Sequence, residues 1–425
     1  MYFNLEQFFN NLKDYFYLNL NPRYVIPAIA VGIAIVAIIV MMNGESQFSE
    51  NQVVTQSPDK NQITTPTPVQ ENEIESSPQS IPIGENEPAP VEQTGQSIEY
   101  EIFVTNGEKH IVPLDKIKSG GPPPDGIPSI DDPKFTKADN ENHVADSDIV
   151  LGLEINGEAK AYPLSILVWH EIVNDNVGGV PVAVTYCPLC FTNQVFERVL
   201  DGQSVEFGTS GKLYNSNLVM YDRMTGTYWS QGLGLAIKGE LTGQSLNIIP
   251  FDVITWGDWK KLYPDTVVLT TNTGHIRAYG VDPYGDYYTD PRIIFPVEYR
   301  DDRMHPKEII LGFHKGLVFK AYKQLDVESS IVINDQVNNE PILLVSLYSG
   351  NARSFDRMVD GEILEFTYKD NKIVDINTNS EWNYDGVAIS GELEGTELER
   401  LAFNPGFWFE WIAFHPETQV YGGTT

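Results

Sequence analysis

Residues 148–167 read DIVLGLEINGEAKAYPLSIL, and residues 308–325 read EIILGFHKGLVFKAYKQL. Aligned at an offset of 160, the two stretches share an apolar run, a polar turn and a second run ending in Lys-Ala-Tyr. Short apolar runs broken by Gly, Asn, Asp and Pro mark strands and tight turns. Further on, IVNDNVGGVPVAV (172–184) aligns with VINDQVNNEPILL (332–344), and VFERVLDGQSVEF (195–207) with SFDRMVDGEILEF (354–366). TYWSQGLGLAIKGELTG (227–243) matches SEWNYDGVAISGELEG (380–395), and WGDWKKLYPDTVVL (256–269) matches WFEWIAFHPETQVY (408–421). Blocks kept in one order along the chain are the mark of internal repetition. The expected fold is mainly β with short helices, a β-rich α+β body of two homologous tandem modules. Each module ends in a short amphipathic helix, and its Trp pair, Trp256/Trp259 or Trp408/Trp411, reads as core anchors because aromatics at helical spacing usually pack.

Repetition supplies an internal control: a residue the fold needs should recur, and a residue needed only for chemistry need not. Asn174-Asp175 recurs as Asn334-Asp335, Arg198 as Arg357 and Trp229 as Trp382. These predict structural roles in turns, ion pairs and core. The chain's only two cysteines, Cys187 and Cys190, do not recur. The first copy reads AVTYCPLCFTNQVFER where the second reads LLVSLYSGNARSFDR, and His170 stands opposite Ser330. Joint absence from the second copy is what one site made of His170, Cys187 and Cys190 would leave.

The local pattern is strand, Cys-Pro-Leu-Cys turn, strand. Pro at the second position favours a type I turn, whose first and fourth Cα atoms lie within ~7 Å. Both sulfurs can then point one way, as a metal knuckle needs, and the span also falls within disulfide range. Two thiolates and one imidazole form a three-ligand set with an open position, suited to copper or zinc. A thiol–disulfide pair, a structural staple and a pair of plain reduced core cysteines remain the alternatives. A thioredoxin-like motif needs the second Cys in a helix, which FTNQVFER does not resemble. Haem attachment through C-x-x-C-H is excluded because Phe191 follows Cys190. The histidines at 110, 143, 275, 305, 314 and 415 are scattered, and any one of them is a candidate further ligand.

A second candidate surface is SGKLYNSNLVMYDRMTGTYWSQ (210–231), which gathers Ser210, Tyr214, Asn215, Ser216, Asp222, Arg223, Ser230 and Gln231 around an apolar strand. It reads either as the lining of a substrate cleft beside the cysteines or as a hairpin with a polar turn. GTSGK within it fits neither a phosphate-binding loop nor a nucleophile elbow. PPPDGIPSIDDPKF (122–135) reads as a rigid loop. DPYGDYYTD (282–290) reads as a connector between modules, since it lacks the ligand order of a calcium loop.

GGPPPDGIPSIDDPKF, DIVLGLEINGEAKAYPLSILVWHEIVND, PVAVTYCPLCFTNQVFE, SGKLYNSNLVMYDRMTGTYWSQ and WGDWKKLYPDTVVL together resemble the domain-of-unknown-function 3179 family. The likeness covers most of residues 110–421 and implies a secreted or membrane-anchored prokaryotic protein with no established activity. His170, Cys187 and Cys190 fall on that family's marked positions. Many members carry a small residue, often Gly, after the second Cys, and Phe191 departs from that pattern.

The chain of 425 residues carries 59 acidic against 28 basic side chains, a net charge of −31. Such a surface repels phosphate backbones, so nucleic acid is excluded as a partner class. Residues 24–42, YVIPAIAVGIAIVAIIVMM, contain no charge and are long enough to cross a ~30 Å hydrocarbon core. Lys13 and Arg23 precede them, and no Lys or Arg follows until Lys60. The positive-inside bias predicts a cytoplasmic tail (1–23), an uncleaved signal anchor (24–42) and an extracytoplasmic remainder. Residues 43–97, rich in Ser, Thr, Pro, Gln, Asn and Glu, predict a disordered stalk. Residues 98–275 are then the module with the Cys/His site, and 276–425 a degenerate second module. The membrane is the one partner this reading names; an extracytoplasmic protein or small-molecule partner stays open.

Overall fold

The hairpin that opens each repeated block is set by its turn. Asn156-Gly157 and the matching Gly316-Leu317 sit between strands, with Asn156, Gly157 and Gly316 in the left-handed region that a two-residue hairpin loop needs. In the computed structural model, which describes residues 100–423, the chain is mainly β with few, short helices, in a propeller-like arrangement of small sheets. Segments 1–23, 24–42 and 43–97 lie outside the described residues, as do the anchor and stalk expected there. Among the described residues no helix is long and apolar enough to cross a membrane.

The first half runs β1 (Ile149–Ile155), β2 (Glu158–Pro163), α1 (Leu164–Leu167), β3 (Ile172–Val177), β4 (Val180–Cys187) and β5 (Thr192–Glu197). It continues with β6 (Phe207–Tyr214), β7 (Asn217–Asp222), β8 (Tyr228–Ser230), β9 (Leu235–Lys238), β10 (Asp252–Thr255), α2 (Trp256–Leu262) and β11 (Val267–Leu269). Three sheets result. β10, β1, β2 and β11 lie side by side, β3, β4 and β5 form a meander, and β6 to β9 form another within a larger sheet that takes in strands from residues 103–119.

The second half repeats that order: β12 (Ile309–Lys315), β13 (Val318–Lys323), α3 (Gln324–Ser330), β14 (Val332–Val337), β15 (Glu340–Val345) and β16 (Arg353–Asp356). Then come β17 (Phe366–Lys369), β18 (Lys372–Asp375), β19 (Glu381–Trp382), β20 (Ala388–Ser390), β21 (Asn404–Phe407), α4 (Trp408–Phe414) and β22 (Gln419–Val420). Its sheets are β21-β12-β13-β22, β14-β15-β16 and β17-β18-β19-β20. Register agrees residue for residue, with Gly152 opposite Ala161 in one half and Gly312 opposite Ala321 in the other.

The residues that recur in sequence hold equivalent bonds. Asn174 exchanges two hydrogen bonds with the backbone of Phe207 (2.8 and 2.9 Å), and Asn334 does so with Phe366 (2.8 Å each). Trp229 donates its indole N–H to Asp222 at 2.9 Å, and Trp382 donates to Asp375 at 2.9 Å. Tyr162 and Tyr322 bond Asp175 and Asp335. Arg198 and Arg357 donate to the carbonyls of Val205 and Leu364. A Cβ at Gly152 would overlap the indole of Trp259, and one at Gly312 that of Trp411. All four helix tryptophans are buried, as the helical spacing predicts.

Candidate functional site

β4 carries alternating apolar side chains into both cores and ends at Cys187, opposite Thr192 on β5. The Cys190 N–H donates to the Cys187 carbonyl at 3.3 Å, closing the expected four-residue turn. Phe191 exits the turn at φ +56°, where Gly meets no Cβ penalty. Its ring stacks on Phe407 (5.4 Å) and meets Tyr186 edge-on (5.9 Å), contacts that offset the strain. Both cysteines are free, with Cys187 2% and Cys190 0% exposed.

Three elements enclose them. From the β7–β8 meander, Asn217 donates its Nδ2–H to Cys190 Sγ (3.2 Å), Gln231 Oε1 (2.9 Å) and Glu410 Oε1 (3.2 Å). Gln231 in turn donates to Thr185 Oγ1 (3.0 Å) and the Thr192 carbonyl (3.2 Å). From the segment joining the halves, Tyr287 donates its hydroxyl to the Leu189 carbonyl at 2.8 Å, and Lys307 lies on the Tyr287 ring while donating to its carbonyl. Residues 282–290 are therefore not only a connector; they cover the thiol turn. From the second half, the Phe407 N–H donates to the Cys190 carbonyl at 2.8 Å, and Glu410 on α4 reaches in, itself 1% exposed.

Burial and the neighbouring Cys187 push the Cys190 thiol well above its usual range, against the pull of Thr192 and Asn217. Burial, then the neighbouring Cys190 sulfur, raises the Glu410 carboxyl well above the usual carboxylate range. The protonated form is favoured at both groups. On the other side of the turn, burial alone lifts Glu171 to about 8. Its carboxyl makes no hydrogen bond among the described residues, and Tyr284 lies close enough to feel both Glu171 and Cys187.

His170 does not join the cysteines. Its Nδ1–H donates to the Pro128 carbonyl (2.8 Å), and its Nε2 accepts from the Tyr279 hydroxyl (2.7 Å), which bonds Thr273 at 2.6 Å. Burial lowers its pKa to about 4, so the ring is neutral with both nitrogens engaged. Among the described residues no group of three or more His, Cys, Asp or Glu stands where it could hold a metal ion. The expected His170-Cys187-Cys190 copper or zinc site is thus not assembled, because packing on the 122–135 loop and Tyr279 has taken the imidazole.

The polar strip forms the β6–β7 hairpin, with Asn215 and Ser216 both at positive φ in its turn. Within it Asn217 donates to Cys190 Sγ, and of the residues singled out from the sequence Gln231 is linked to the thiols, through Asn217. Asp222 anchors Trp229 and Thr225. Tyr214 and Asn215 bind Glu298, Ser210 donates to the Val219 carbonyl across a bulge, and Arg223 ties Asp131 and Glu206. The hydroxyls of Ser216 and Ser230 are buried without a partner among the described residues.

The site residues that sequence reasoning missed are Asn217, Thr192, Tyr287 and Glu410. For Glu410 a signal was present. In α2, Thr255 caps the helix and Asp258, at the third position, completes the cap at 3.2 and 2.9 Å. In α4 the capping position is Phe407, so the matching acid, Glu410, has no cap to serve.

Fold and site together define a mainly-β protein with one buried dithiol turn, closed over by the far half of its own chain. The chain belongs to the family described as protein of unknown function (DUF3179), which matches residues 124–418. No curated protein and no solved structure matches it.

Proposed function

We propose that the chain is a duplicated β module whose first copy keeps a redox-active dithiol, and that Cys187 and Cys190 cycle between two thiols and one disulfide. The observation that carries this reading is the pair of free thiols held in one turn, with an amide donor aimed at one sulfur, in the half that alone has them. The equivalent strands of the second half close without any cysteine, which argues against a staple. The reaction is exchange with a disulfide: Cys187–SH and Cys190–SH plus R–S–S–R give the Cys187–Cys190 disulfide and two R–SH. A carrier with the signal anchor read at 24–42 would hold this centre outside the cytoplasm, where disulfide partners are at hand.

The test measures thiols and metal in one sample of full-length protein. After equilibration with excess reduced and then oxidised dithiothreitol, followed by unfolding and alkylation, we expect two modified cysteines and then none, with no bound metal. Stoichiometric copper or zinc released by Cys187→Ser would contradict the reading.

A further inference from the structure

Asn217 has two amide protons and three acceptors around them. Its orientation is fixed, because the Gly232 N–H donates to Asn217 Oδ1 at 2.9 Å. Gln231 is likewise fixed by its two donated bonds, so Gln231 Oε1 takes one Asn217 proton at 2.9 Å. One N–H remains for Cys190 Sγ and Glu410 Oε1, each 3.2 Å away. All of these groups are buried, so water does not stand in for a lost acceptor. The space is shaped for the carboxyl: a Cβ at Gly232 would strike Glu410 Oε1.

We propose that Glu410 is a positioning residue for the dithiol. This rests on the reading that Cys187 and Cys190 form a reversible disulfide. When the S–S bond forms, Sγ of Cys190 is drawn toward Cys187 and off the line of the shared N–H. Glu410 Oε1 then accepts that N–H, so oxidation leaves no buried donor unpaired. A residue of the second half thereby sets the redox equilibrium of a site in the first. Burial favours the protonated Glu410 carboxyl, whose accepting atom is a carbonyl oxygen, which glutamine also supplies.

The experiment is redox equilibration of full-length protein with oxidised and reduced dithiothreitol, quenched by alkylation and read by mass, for wild type, Glu410→Leu and Glu410→Gln. A buried N–H left unpaired carries its full desolvation penalty. Glu410→Leu is therefore expected to shift the equilibrium about tenfold toward the dithiol, while Glu410→Gln stays within about threefold of wild type. Equal shifts in both variants, or none in either, would overturn the role of Glu410. Should the leucine variant not fold, Glu410→Thr, too short to reach Asn217, takes its place. A wild-type protein that forms no disulfide at any ratio would instead sink the dithiol reading itself.

Discussion

Where β10 meets the second half, Asp252 enters the end of the β14–β16 sheet and is met by Arg353 (2.8 Å), Arg400 (3.0 Å) and Asn351 (2.8 Å). Where β21 meets the first half, the residue at the matching place is Asn404, and the residue matching Arg353 is Gln194. Asn404 donates to the Gly232 carbonyl, but among the described residues its Oδ1 has no partner, and neither amide atom of Gln194 has one. One junction is a charged lock with its bonds made. Its counterpart is neutral, holds unpaired amide atoms and contains both thiols and Glu410. A fold that can close this junction with an ion pair has no need of cysteines to close the other. That difference is the strongest reason to read the thiol side as kept for chemistry.

The comparison breaks most visibly at the lock. Asp252→Ala leaves Arg353, 1% exposed, without its principal counter-charge. Breaking one partner of a buried pair costs ~3–5 kcal/mol. Denaturant unfolding should show a loss of that size; a change below about 1 kcal/mol would mean the junction is not held this way.

A second contrast is Glu171 against Ile331, which occupy the same left-handed corner at φ 60° and 63°. Ile331 does not titrate. Glu171, with its pKa raised to about 8, binds a proton in the folded state that the unfolded chain has released. Its stabilising effect is whole below the unfolded value near 4.5 and is lost as pH rises toward 8. The slope approaches ~1.4 kcal/mol per pH unit across that window. Glu171→Gln should flatten this fall in a series of melts from pH 5 to 8; an unchanged slope would show that Glu171 is solvated.

The smallest effect is expected at Gln194. Gln194→Met removes two unpaired polar atoms at similar volume, so stability should stay level or rise by about 1 kcal/mol. A loss above about 2 kcal/mol would show that the amide has a partner it depends on.

Much of this comparison could be read from the chain. Strand order, the tryptophan helices and the roles of Asn174, Asp175, Arg198 and Trp229 follow from apolar alternation and from which residues recur, because both are local or repeated signals. The thiol turn was legible for the same reason. Its surroundings were legible only in Gln231, since Asn217 and Glu410 lie 193 positions apart, and which residues fill a shell is decided by tertiary packing. His170 misled because its absence from the second copy is shared with the cysteines, yet it serves the 122–135 loop, bonding Pro128. Asp222 reads as a cleft residue only while its counterpart Asp375 is left aside, for both hold a tryptophan.

The central claim is that Cys187 and Cys190 act as one two-electron centre. Its most direct test is a redox titration of the full-length chain, counting alkylatable cysteines by mass at each potential. Both thiols are expected to vanish together in a single two-electron transition, reversibly, with folding unchanged. Thiols that stay alkylatable at every potential, or that are lost independently of one another, would contradict it.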